Sequence, residues 1–335
     1  MRNCVITVGR FLLLLAPWVF IAYLFRDVDA ALNAFKDVSV APMVGGLILT
    51  LAGLVGTALL WTRLVGHLSR DVAVPDTPNL LRAFARSWLV RYLPGKVWSY
   101  GARVIHTDAS VTPKRIVASS LADEFVLIVG TATALGLGLW AWAVVGAIIG
   151  VPVLIAAIAA VIMGLSRLDQ LVPLAFRFLA RAIPERWRSA AEEMQRAADD
   201  PGLGLKAAAL FSGGYVLTNF LLGVAFVLIV LSLSDIAWAD VPLLVGAFNL
   251  AAVLGIVAFF APAGLGVREG VLAGFLVPVV GGPVAATLVI VVRLLTVLTD
   301  LAFLTLVEGL ALLAGRVRRN SSSASTRDSE HSMRG

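Results

Sequence analysis

Residues 261–270 read APAGLGVREG, and this stretch interrupts the most apolar part of the chain. Residues that disfavour a regular helix recur in it, at Pro262, Gly264 and Gly266. Two adjacent charges, Arg268 and Glu269, then open a further apolar run. Broken backbone inside a bilayer is tolerated only where it is buried in protein or lines a cavity. Half-helix ends of this kind form substrate sites in transporters, so the stretch predicts a binding site rather than a simple membrane anchor.

The composition places the chain among membrane proteins. Of its 335 residues, 59% are hydrophobic and 14% are charged, whereas soluble domains carry about 25% charged residues. Cys4 is the single cysteine, and the histidines at 67, 106 and 331 show no metal-ligand spacing, so we expect no metal and no cofactor. The net charge of +6 fits basic loops at a membrane surface. Because no basic run carries interleaved aromatics, we expect no nucleic-acid partner.

Apolar runs long enough to cross a bilayer recur along the chain, since about 20 apolar residues span the hydrocarbon core. They lie at 6–24, 43–65, 116–140, 143–165, 205–231, 241–260 and 284–314, with a shorter run at 271–280. A cleaved signal peptide is the alternative for the first run, but Asp27 and Asp29 spoil a cleavage site, so we expect a retained helix. The short run either extends back through Arg268 or forms one arm of a re-entrant hairpin.

The predicted fold class is all-α: a polytopic membrane helix bundle with about eight transmembrane helices and two broken or re-entrant Pro/Gly regions. Basic loops favour the cytoplasmic side, and bases flank both the first and the last run. We therefore expect a protein of the cell (cytoplasmic) membrane with both termini in the cytoplasm. Residues 1–319 form the predicted membrane domain. The Ser-rich segment 320–335 has no apolar periodicity and is expected to be a disordered cytoplasmic tail.

The first of the two breaks is Pro94-Gly95, which follows an amphipathic stretch. A helix that stops here leaves unpaired backbone amides that can hold an anion such as a phosphate. Positive charge around it comes from Arg91, Lys96 and Arg103. The alternative is an ordinary interfacial turn whose basic side chains reach the headgroups.

Ionisable residues also stand inside the apolar runs, namely Asp123, Glu124, Arg293, Asp300 and Glu308. A charge at mid-membrane costs roughly 2.5–3.5 kcal/mol on insertion scales, so such residues mark functional cavities. The last three fall on one broad helical face, which should point into the bundle. We expect Arg293 to pair with Glu124 or Glu269 while contacting an anionic headgroup. A static ion-pair network is the alternative, and it is the expected role of Glu308.

Taken together, these motifs make the chain resemble the flippase-like transmembrane family named after the membrane half of lysylphosphatidylglycerol synthase. The family pattern has a Pro-Gly after an amphipathic stretch, an acid in the next helix, a Pro-x-Gly-x-Gly-x-x-Glu break and an arginine in the last helix. The matching residues are Pro94, Gly95, Glu124, Pro262, Gly264, Gly266, Glu269 and Arg293. Ala263 departs from the usual Pro-Gly-Gly of the second break.

The resemblance implies movement of lipids, or of lipid-linked groups, between leaflets. The expected headgroup contacts are Lys96, Arg103, Glu124, Arg268, Glu269 and Arg293. The expected partners are membrane lipids with anionic or phosphate-bearing headgroups, besides a second copy of the chain or a partner membrane enzyme. The alternative function is an accessory subunit or enzyme of polyprenyl-phosphate-linked glycan assembly. We expect no enzyme activity, because no aminoacyl-transferase domain follows the membrane part and no catalytic motif is found.

Overall fold

The computed structural model describes residues 38–69, 77–92, 97–107, 205–258 and 261–332, with residues 111–128 described in pieces. Every element in these ranges is helical. The α-helices are α1 (Val40–Leu68), α2 (Thr77–Leu89), α3 (Val97–His106), α4 (Leu205–Leu231), α5 (Val241–Val257), α6 (Val267–Val280) and α7 (Gly282–Ser332). Short 3-10 turns lie at Val90–Tyr92, Trp238–Asp240 and Pro262–Gly264. The helical fold class predicted from the sequence is confirmed for this part of the chain.

Four helices in the described ranges are long and apolar enough to cross a membrane. The spans are Val40–Leu68, Ala209–Leu231, Trp238–Ile256 and Gly282–Leu313. They correspond to four of the predicted apolar runs, so the assignment to membrane proteins holds at this level. The runs at 6–24 and 143–165 lie outside the described residues, and 116–140 is described only up to residue 128. The total of about eight transmembrane helices therefore stays a prediction.

The short run 271–280 is the C-terminal part of α6, which begins at Val267. Its 14 residues extend over roughly 21 Å at 1.5 Å per residue, which is less than the ~30 Å of a bilayer core. Gly281 ends α6 with a φ of 83°, and α7 follows at once. The helix includes Arg268, so the run extends back as far as Val267. A re-entrant path through the membrane stays a prediction.

Helix α7 is continuous over 51 residues, to Ser332. No proline or glycine stands between Arg316 and Ser332 to end the helix. The disordered tail expected for 320–335 stays a prediction. The side chains beyond residue 313 lie outside the described part, and the boundary at 319 coincides with no break in the backbone.

Helices α1 and α4 pack closely through glycines. A Cβ at Gly46 would lie 2.9 Å from the carbonyl oxygen of Ala225, and one at Gly53 would lie 2.8 Å from Leu222 Cδ2. Both are shorter than normal van der Waals contact, so only a hydrogen fits there. In a bilayer the hydrophobic effect does not drive helices together, so small residues that allow close van der Waals packing stabilise the pair.

Three apolar clusters lie in the described ranges, and the two larger ones form most of the core. One joins α4, α5, α6 and α7 around Leu244, Leu276 and Leu288. The other joins α1, α2 and α7 around Trp61, Phe84 and Phe303. Since α7 contributes to both, it runs along the two clusters and connects them.

Candidate functional site

A cavity of about 220 Å³ lies inside the bundle, and residues of all seven described α-helices and of the turn after α5 line it. Its charged lining residues are Arg91, Arg103, Glu124, Arg268 and Asp300. Its apolar lining includes Leu54, Leu222, Phe226, Ile229 and Val292. Pockets for drug-sized ligands hold about 300–1,000 Å³, so this cavity suits a smaller group such as a lipid headgroup. Polar and apolar walls together fit an amphiphile.

Arg268 brings a cation into this cavity from the first turn of α6. Its guanidinium carbon lies 5.6 Å from the centre of the Phe248 ring, in a cation–π arrangement. None of the carboxylates in the described ranges forms an ion pair with it. The neighbouring acid, Glu269, contacts the Gly266 backbone N–H and Arg293 instead. Arg268 is therefore a cation with capacity for an anionic ligand.

Glu269 links the break to α7. One of its carboxylate oxygens accepts a hydrogen bond from the Gly266 backbone N–H at 2.6 Å. The other lies 3.5 Å from Arg293. The predicted contact between Arg293 and the 262–270 break is thus present, with Glu269 rather than Glu124 as the partner. Arg293 itself is not among the described residues that line the cavity.

The break keeps three residues in left-handed backbone. The φ angles are 50° at Ala263, 69° at Gly264 and 86° at Gly266. Glycine adopts such angles at little cost, whereas an L-residue with a Cβ does not. The turn Pro262–Gly264 contacts the turn Val90–Tyr92. The second broken region therefore packs beside the end of the amphipathic helix, although Pro94, Gly95 and Lys96 lie outside the described residues.

Asp300 holds the cavity end of α2 against α7. Its carboxylate accepts hydrogen bonds from the Trp88 indole at 2.9 Å, from Arg91 at 2.6 Å and from the Tyr92 hydroxyl at 2.6 Å. Burial raises the pKa of the Tyr92 phenol, so the hydroxyl keeps its proton and remains a donor. With three donors on one carboxylate, the Arg91 charge is neutralised within the protein.

Arg103 lines the cavity, but it already has a partner. It donates to Asp123 at 3.0 Å, and the Tyr215 hydroxyl donates to the same carboxylate. The guanidinium also lies over the rings of Trp61 and Phe84, at 4.9 Å and 4.8 Å. Its Nε atom is buried and has no hydrogen-bond partner in the described structure. Arg103 therefore offers one free donor while its net charge is balanced.

Glu308 lies outside the cavity lining and forms ion pairs with Arg82 at 3.2 Å and with Arg86 at 2.6 Å. The static ion-pair role expected for it agrees with these contacts. Arg293, Asp300 and Glu308 all contact neighbouring elements, so the charged face of α7 does point into the bundle. Among the described side chains, no three His, Cys, Asp or Glu residues are grouped as a metal site requires.

The predicted headgroup residues separate into three groups. Arg103, Glu124 and Arg268 line the cavity together, Glu269 and Arg293 support the break, and Lys96 lies outside the described residues. The sequence flagged Arg91 and Asp300 as charges but left both out of the headgroup set. Their membership of the lining follows from a contact across 209 positions, which no local pattern reveals.

No protein-family model matches this chain, and no curated protein is significantly similar to it. The resemblance to the flippase-like family therefore stays a prediction from the motifs.

Proposed function

We propose that this protein binds the anionic, phosphate-bearing headgroup of a membrane lipid in the central cavity and moves that lipid between leaflets. The observation that carries the proposal is Arg268, a cation that lines the cavity without a carboxylate partner in the described ranges. A partly buried cation without a carboxylate partner is costly, and a lipid phosphate would supply the missing charge.

The distribution of the other charges supports an anionic ligand. Two further arginines line the cavity, and each is neutralised by one aspartate, Arg91 by Asp300 and Arg103 by Asp123. Beyond these pairs the lining holds Arg268 and Glu124, and Glu124 has interactions of its own. Arg103 Nε and the hydroxyl of Ser99, both on cavity-lining residues, are buried without a hydrogen-bond partner in the described part. A phosphate oxygen could accept hydrogen bonds from this guanidinium N–H and from this hydroxyl.

The apolar wall supports a lipid over a soluble anion. Leu222, Phe226 and Ile229 of α4 line the same cavity as Arg268. A soluble phosphate compound would gain nothing from these side chains. An amphiphile would bury the first part of its chain against them while its headgroup contacts the arginine.

The test is leaflet exchange in reconstituted vesicles, with fluorescent phosphatidylglycerol as the anionic lipid and phosphatidylcholine as the zwitterionic one. The wild-type protein is expected to speed exchange of the anionic lipid. Arg268→Gln should slow this exchange by roughly 10–100-fold, because a charge-assisted hydrogen bond contributes about 1.5–3 kcal/mol.

The matched control is Arg82→Gln, which removes an arginine that pairs with Glu308 outside the cavity. This variant should exchange lipid at the wild-type rate. If the wild-type protein and Arg268→Gln exchange each of the two lipids at the same rate, the arginine does not select the headgroup. No exchange by well-folded wild-type protein would refute translocation.

A further inference from the structure

Arg268 reaches the cavity through a narrow slot between two glycines. A Cβ built at Gly255, in α5, would lie 2.6 Å from Arg268 Cγ and 2.9 Å from its Cδ. A Cβ built at Gly264, in the turn, would lie 2.9 Å from Gly255 Cα and 3.1 Å from Arg268 Cγ. Carbon atoms pack at about 3.5–4.0 Å, so neither position can carry a side chain while Arg268 keeps this path.

The backbone conformation at position 255 does not require glycine. Gly264 has a positive φ, which favours glycine whatever lies next to it, but Gly255 lies within the regular helix α5. Glycine inside a helix is less favourable than alanine. The contact that requires glycine at 255 is the stem of Arg268.

We propose that Gly255 is a positioning residue, and that the slot it forms with Gly264 aims the Arg268 guanidinium at the phosphate group of the bound lipid. Gly255, Gly264 and Arg268 all line the cavity. A stem held between two backbones loses little further freedom when the headgroup binds, so the cation is pre-organised. This inference rests on the proposed function for its ligand, but the slot itself can be tested without one.

The binding experiment uses full-length protein in detergent and two short-chain probes of equal chain length, phosphatidylglycerol and diacylglycerol, of which the second carries no phosphate. Gly255→Ala should weaken phosphatidylglycerol binding roughly tenfold, as Arg268→Gln does, because both remove the same charge-assisted contact. The double variant should bind no more weakly than either single variant. Diacylglycerol binding should change less than twofold, on the order of the scatter between non-contacting sites, because this lipid offers Arg268 no phosphate.

The matched control is Gly274→Ala in α6, where a Cβ would meet nothing within 4 Å. It should bind both lipids as wild type does. If Gly255 served only helix packing, its substitution would weaken binding equally in the wild-type and Arg268→Gln backgrounds. Such additive losses, or wild-type binding by Gly255→Ala, would overturn the positioning role.

A second measurement needs no lipid: the rate at which phenylglyoxal modifies Arg268, read by peptide mass spectrometry. Gly255→Ala should change this rate and Gly274→Ala should not. An unchanged rate in Gly255→Ala would refute the slot. If wild-type protein binds neither lipid while the rate does change, the proposed function fails and the slot stands.

A folding defect in Gly255→Ala would itself be informative. Adding Arg268→Ala removes the Cγ atom that the new Cβ meets, so the double variant should recover the wild-type elution profile and thermal stability. Failure to recover would show that the clash at 255 does not involve Arg268, and it would overturn the inference.

Discussion

At the scale of single residues, Ala263 has the most strained backbone of the break, because it is the one residue there that combines a Cβ with a positive φ. It has a φ of 50°, in the left-handed region, where an L-residue is less stable than glycine by roughly 1–2 kcal/mol. Ala263 cannot relax to a negative φ without moving the turn Pro262–Gly264, and this turn is held by contacts with α5 and with the Val90–Tyr92 turn.

We expect Ala263→Gly to raise the free energy of unfolding in detergent, by up to about 1 kcal/mol, since part of the gain is offset by the greater freedom of glycine in the unfolded chain. Ala263→Val should lower it, because a β-branched side chain tolerates a positive φ poorly. Thermal unfolding followed by circular dichroism measures both. A lower stability for the glycine variant would show that the Cβ of Ala263 contributes packing that outweighs the strain.

Arg293 and Glu269 act at the same scale, as a support for the break. Arg293→Ala removes the partner 3.5 Å from Glu269 and should reduce lipid exchange while the protein still inserts. Because the contact is a single one to a carboxylate and not a fork around a phosphate, Arg293→Lys should restore most of the rate. Exchange assays in vesicles at matched protein density decide this. Loss of exchange in the lysine variant equal to that in the alanine variant would instead indicate direct headgroup binding by the guanidinium.

At the scale of elements, ion pairs dock the amphipathic helix α2 on α7 at two points. The inner point is Asp300, whose side chain is 4% exposed and accepts three hydrogen bonds. The outer point is Glu308, 26% exposed, with two arginines that are more exposed still. A buried charge that loses its partner costs far more than an exposed one.

We therefore expect Asp300→Ala to destabilise the protein by about 3 kcal/mol, because it leaves Trp88, Tyr92 and the half-buried Arg91 without their shared carboxylate. Glu308→Ala should cost no more than about 1 kcal/mol, since its partners are partly exposed and screened. Thermal unfolding of the two variants gives the comparison. A larger loss for Glu308→Ala would place the main docking contact at the outer end of α2.

At the scale of the whole molecule, the four candidate spans and the basic loops predict how the chain crosses the membrane. Bases near both ends predict that both termini lie in the cytoplasm, and the acidic linker 232–240 is predicted to lie on the other side. The structure joins α4 and α5 across this linker, where Trp238 is 84% exposed, as expected for an aromatic residue at the membrane surface.

Reporter fusions test this topology. A cytoplasm-active reporter should work at either terminus, and a reporter active only outside the cytoplasm should work when inserted after Asp235. Insertion after Leu68 is the matched control, because residues 69–76 follow α1 in the chain and are predicted to be cytoplasmic. External activity at either terminus would contradict an even number of crossings.

The sequence alone determined the class of protein, the helices and the place of the break. Apolar length is a local property, so the runs 205–231 and 284–314 predicted the helix Leu205–Leu231 and the candidate span Gly282–Leu313 closely, and Pro and Gly at 262–266 marked the break. The sequence also marked which charges stand in apolar surroundings. The disorder that the same local reasoning predicts for 320–335 stays a prediction.

Only the tertiary structure decided which charges form ion pairs and that Arg268 forms none with a carboxylate in the described ranges. Asp300 pairs with Arg91, Asp123 with Arg103 and Glu269 with Arg293, and these partners follow from how the helices pack. Arg268 is left facing the cavity because the glycines at 255 and 264 give its stem a path. Such pairings depend on distances between elements far apart in the chain, and a sequence pattern carries no record of those distances.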